Sequence, residues 1–132
     1  MLHKESFAFF CLLLLVCLGV GCGSTPIPPQ FRPQVTSQTD NFQFQAGATN
    51  YTSMLTYTWQ NTGDASTIEQ GSTIALGSGS VTIKDAAGSE VYSADLKQNG
   101  TFTSQPGTAG QWTVVVKLTK VTGMLSFRAQ KV

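Results

Sequence analysis

Between Asn41 and Gln130 apolar and polar side chains alternate along the chain. "NFQFQ" sets Phe42 and Phe44 against glutamines, and "YTSMLTYTWQ" puts Tyr51, Leu55, Tyr57 and Trp59 on one face with mostly Thr on the other. "SVTIKD" places Val81 and Ile83 together, and "EVYSADL" adds a short apolar–polar run. "QWTVVVKLT" aligns Trp112, Val114, Val116 and Leu118, and "MLSFRAQ" aligns Leu125, Phe127 and Ala129. A period of two sends successive side chains to opposite faces of an extended chain. Aromatic and β-branched residues suit the pleated, half-buried surface that results. The pattern predicts half-buried antiparallel strands and no helix over this region.

The intervals between these runs carry turn chemistry. "NTGD" (61–64), "DAAGS" (85–89), "QNGT" (98–101) and "QPGTAG" (105–110) supply residues that tolerate positive φ. The 85–89 stretch is expected to close a hairpin between the strands around Ile83 and Val91. The last two runs are expected to pair as well, turning at Val121 to Gly123. Seven or eight short strands predict an all-β domain over residues 41–132, an antiparallel two-sheet β-sandwich of jelly-roll-like form. Strand order is not readable.

The N-terminus is of another kind. Lys4 and the α-amine precede "FAFFCLLLLVCLGV" (7–20), which has no charged residue. That length suits the apolar region of a secretion signal and is too short to span a bilayer comfortably as a helix. Residues 1–21 are therefore expected to be a signal-peptide helix. All three cysteines, Cys11, Cys17 and Cys22, lie at or before the cut, so the domain has no disulfide and relies on its hydrophobic core. With Lys4 and Glu5 removed, seven basic residues face six acidic ones. That near-neutral balance lacks the basic footprint of a nucleic-acid-binding protein.

At the junction, "LGVGCGS" (18–24) resembles the lipobox of bacterial lipoprotein precursors, with Gly21 before Cys22 and Val20 one step earlier. Gly19 stands where that family usually has Leu, and Leu18 is displaced by one position. The resemblance implies a diacylglyceryl group on the Cys22 thiol, cleavage before it and often acylation of the new amine. Gly19-Val20-Gly21 also fits an ordinary signal-peptidase cut. The two readings break the same bond and differ only in the acylation of Cys22. Two or three chains anchor a protein stably where one does not. In Gram-negative lipoproteins an Asp after the cysteine commonly signals inner-membrane retention, so Gly23 implies the outer membrane where there is one. Residues 22–40 follow as lipidated terminus and linker. Pro26, Pro28, Pro29 and Pro33 bias them to an extended spacer of roughly 50 Å.

A second resemblance lies in the C-terminal half. "SVTIKDAAGSEVYS" followed by "GTAGQWTVVVKLTKVTGMLSFRAQ" looks like the small sandwich modules of bacterial pre-peptidase C-terminal type and their galactose-binding-like relatives. Gly110, Trp112, Val114, Val116, Gly123 and Phe127 carry the match. It implies a sandwich with a non-catalytic accessory role and carries no ligand across.

The remaining chemistry is sparse. His3, the one histidine, leaves with the signal, which removes imidazole bases, Ser-His and Cys-His machinery and imidazole zinc sites. A glycosidase would need two of Asp40, Asp64, Glu69, Asp85, Glu90 and Asp95 facing across a cleft. None sits in an apolar setting that would raise its pKa, and they read as turn and edge charges. No run matches an EF-hand, although Ca²⁺ held by turn carbonyls stays open. "LGSGS" (76–80) lacks the Lys and helix of a phosphate loop and reads as a connection or bulge. The sequons at Asn50 and Asn99 read as chance. Tyr51, Tyr57, Trp59, Tyr92 and Trp112 would make a sugar-stacking platform if they projected outward, with Trp59 and Tyr92 the candidates. The phase of Trp59 and Trp112 with apolar neighbours favours burial.

The expectation is an exported, lipid-anchored cell-envelope protein whose domain acts by binding or structural contacts. Its partners would be the membrane, through the anchor, and an envelope protein or glycan. The alternative is a surface-displayed carbohydrate-binding module, and a carboxylate-dependent hydrolase comes last. No metal and no cofactor is expected.

Overall fold

The computed structural model describes residues 30–132. These form seven strands: β1 (Phe31–Gln38), β2 (Asn41–Asn61), β3 (Ser66–Gln70), β4 (Thr73–Lys84), β5 (Glu90–Asp95), β6 (Gly100–Thr103) and β7 (Gly110–Lys131). All pairings are antiparallel, so the all-β, antiparallel expectation holds. Expectations for residues 1–29, the signal segment and Cys22 among them, lie outside the described residues.

The sheet is built around β7. One edge of β7 pairs with β2 along almost its whole length, from Asn41↔Gln130 to Asn61↔Gly110. Its other edge pairs first with β3 and then with β4. β6 and β5 extend these two, and β1 closes the far side on β2. Where two sheets are expected, hydrogen bonding joins all seven strands into one.

That sheet folds over on itself. β2 has 21 residues, which at about 3.3 Å each would span roughly 70 Å if straight. Yet the Asp40 N–H, just before β2, donates to the Gln60 carbonyl near its end at 2.8 Å. Ser37 Oγ donates to the Thr58 carbonyl at 2.8 Å. Across that fold, Tyr57 from the end of β2 lies 5.8 Å from Phe42 and 5.9 Å from Phe44 near its start, ring centre to ring centre.

The crease is written in backbone dihedrals. Asn50 in β2, Lys120 in β7 and Gly77 in β4 have φ of 45°, 46° and 77°. At each place the buried phase of the strand slips by one. In β2, Phe42, Phe44, Ala46 and Ala48 face inward before Asn50, and Tyr51, Leu55, Tyr57 and Trp59 after it. In β7, Trp112 to Leu118 alternate inward on even numbers, then Val121, Leu125, Phe127 and Ala129 on odd ones. Such bulges add a residue to one strand, bend it and take a backbone group out of the ladder. Threonines receive the freed donors: Asn50 N–H donates to Thr122 Oγ1 and Lys120 N–H to Thr52 Oγ1, each at 2.9 Å.

Two expectations change. The hairpin at Val121–Gly123 does not form, because β7 runs through that point with β2 and β4 still flanking it. Residues 31–38, expected in the linker, form strand β1, so the ordered domain begins about ten residues earlier than 41. Pro33 fits there because β1 is an edge strand, where a missing donor is tolerated. The bulge expected at "LGSGS" is present inside β4, with Gly77 at the crease. The 85–89 hairpin is present as expected, joining β4 to β5.

Candidate functional site

The residues singled out for ligand stacking do not form a platform. Trp59 is 1% exposed and meets the edge of Trp112 at 5.7 Å and 78°. Alternation places both in the core, and Trp112 also donates its indole N–H to the Thr108 carbonyl at 2.8 Å. The Trp59 indole N–H is buried without a partner. Tyr92, on β5, is half-buried beside Phe102, with ring centres 6.3 Å apart. Its hydroxyl donates to Gln70 Oε1, and burial raises its pKa. Gln70 in turn donates to the carbonyls of Asp95 and Gln98 at 3.0 and 2.7 Å. Trp59 lies inside the core and Tyr92 packs against that same core from its half-buried edge, so the two present no shared exposed face, and Cys22 lies outside the described residues.

The carboxylates are used locally. Asp85 is 5% exposed and accepts the N–H groups of Ala87 and Ser89 on Oδ1, at 3.0 and 2.8 Å, and of Thr108 on Oδ2 at 2.8 Å. It pins the β4–β5 turn to the segment entering β7. The Thr108 N–H, then that of Ser89, holds its carboxyl below the usual range. Asp40 accepts from the Thr62 N–H at 2.7 Å and from the Thr62 hydroxyl, with Lys131 at 3.9 Å, and its pKa is lowered chiefly by the Thr62 N–H. Glu69 pairs with Arg128 at 2.6 Å. Asp95 accepts from the Lys97 N–H at 2.8 Å. No group of three or more His, Cys, Asp or Glu side chains converges among the described residues. Asp40, Asp85 and Asp95 thus stabilise turns, and Glu69 ties β3 to β7.

Two surface features have no counterpart in the sequence reading. One is a shallow groove of about 360 Å³ across the outer face of β1, β2 and β7, lined by Arg32, Gln34, Gln45, Gly47, Met124 and Ser126. The other is an open depression of about 400 Å³ at the crease, bordered by Arg32, Gly47, Thr49, Thr122 and Met124. Leu76 and Met124 stand out near it, 66% and 61% exposed. Their sequence signal is weak: Met124 and Leu76 sit where apolar alternation slips phase at Lys120 and Gly77, so each emerges on the wrong face.

No protein-family model matches the chain, and no curated protein sequence matches it. Among solved structures, the chain is similar to one described as accessory secretory protein 1, 2 and 3 in Streptococcus pneumoniae. The TM-score is 0.41 at 10% identity, over 76% of this chain and 85% of that one.

Proposed function

We propose that this is a lipid-anchored cell-envelope protein, exported behind residues 1–21 and acylated on Cys22, whose all-β domain acts by binding or structural contacts. The supporting observation is the order of features along the chain. An uncharged apolar run ends in small residues at a cysteine, and no cysteine follows it. Left unacylated, Cys22 would be an odd exposed thiol in an exported chain. The envelope position is then the outer membrane where one exists, by the Gly23 resemblance. A domain whose carboxylates tie turns and whose Trp59 is buried fits contact work better than catalysis or sugar stacking.

Palmitate labelling and intact-mass measurement of the membrane fraction test this reading. Wild type carries the added acyl mass, and Cys22→Ser loses both the label and the membrane fraction. An unmodified Cys22 at the mature N-terminus overturns it. A glycan array is expected to be blank, and binding abolished by Tyr92→Ala would instead establish the carbohydrate-binding module.

A further inference from the structure

Three observations give the domain a membrane-facing end. The first is where the described chain begins. The Gln30 carbonyl accepts the Thr49 N–H at 2.8 Å, beside Asn50, so the chain enters at the crease. Eight residues, Gly23 to Gln30, separate Cys22 from β1. At about 3.5 Å each they reach no further than roughly 30 Å.

The second is what the crease exposes. Leu76 and Met124 project there from neighbouring strands, since Thr73↔Met124, Ile74↔Gly123 and Leu76↔Thr122 are paired. Met54 and Val132 are as exposed elsewhere, but Leu76 and Met124 stand on adjacent strands at the crease, where apolar exposure marks an interaction site.

The third is charge. Arg32 pairs with Gly47 next to the depression, and Lys120 is a crease residue. Both are exposed. No carboxylate among the described residues belongs to the crease. Asp40 and Asp64 sit where β2 ends, as does Asp85 at the tip of β4. That tip lies seven residues along β4 from Gly77, roughly 23 Å away. By register Asp95 lies opposite Ser80 and shares a depression with Lys117, and Glu69 lies opposite Arg128, with which it forms an ion pair.

The geometry points to the crease as a docking surface for an anionic phospholipid bilayer, with Leu76 and Met124 entering the interface and Arg32 and Lys120 over the headgroups. The inference rests on acylation of Cys22, which delivers this end to the lipid. Near a negatively charged leaflet each cation contributes about five-fold to the docking equilibrium, and apolar side chains add insertion area.

The test uses the acylated protein in vesicles of phosphatidylcholine and phosphatidylglycerol, with bromine on the acyl chains as a short-range quencher. Trp is placed by Leu76→Trp at the crease and by Ala87→Trp at the distant turn. Quenching of the first and not the second is expected. It weakens about five-fold in docking equilibrium for each of Arg32→Gln and Lys120→Gln, and high salt weakens it too. Equal quenching at both positions, or none at either, overturns the docking surface, provided thermal unfolding shows both variants folded. Mass measurement on the same sample separates the two claims. An unacylated Cys22 removes the anchor, and salt-dependent quenching at position 76 of that chain would still support the surface.

Discussion

Asp85 does by hydrogen bonding what a disulfide does in many small domains. Three backbone N–H groups from two segments converge on it. Its folded pKa is depressed, so its stabilisation is present above the unfolded value and is lost as pH falls through the folded one. Asp85→Asn is expected to lower Tm at neutral pH by several degrees, since the amide end has no lone pair for one donor. The gap to wild type narrows as pH falls below the ordinary carboxylate range toward the depressed folded pKa; thermal melts across pH read this directly. At the crease, a Cβ on Gly77 would lie 2.1 Å from the Lys120 carbonyl oxygen. Gly77→Ala is therefore expected to destabilise by about 3 kcal/mol or more. Lys120→Gly should stay within ~0.5 kcal/mol of wild type, because relief of the left-handed φ offsets the added chain entropy. Denaturant titration separates the two. Trp112→Phe should cost about 1 kcal/mol more than Trp59→Phe, because only Trp112 loses a made hydrogen bond.

At the level of elements, alternation made the strands legible and misplaced their ends. The switch from Phe42, Phe44 to Tyr51, Leu55 and from Leu118 to Leu125 is visible in the sequence. A phase change usually marks a turn. Here it marks a bulge that shifts the inward face without reversing the chain, with threonines at 52 and 122 taking the freed donors. β1 was hidden for another reason. All but Phe31 of its residues are exposed, so "FRPQVTSQ" carries no buried stripe, and prolines around it suggest a linker. Of the site residues, burial of Trp59 followed from its phase. The Asp85 anchor did not, because its third donor, Thr108, lies 23 residues away. Amide exchange should reflect this hierarchy. Protection is expected to be greatest where β2 and β4 flank β7, at Val114 and Val116, and least in the edge strands β1 and β6.

For the molecule as a whole, the last strand is the central one. β2 and β7 pair across separations of up to 89 residues, Asn41 with Gln130, a topology that predicts refolding in milliseconds to seconds rather than microseconds. Truncation after Val121 would remove Leu125, Phe127 and Ala129 from the core and leave β3 paired with β6 alone. Such a fragment is expected to show no cooperative melt. For a chain that is threaded through a membrane N-terminus first, this order has a use. On the proposed export route the core could not close until the C-terminal strand had emerged, so the polypeptide would stay in a translocation-competent form until it had left the channel, its architecture itself delaying the moment of folding.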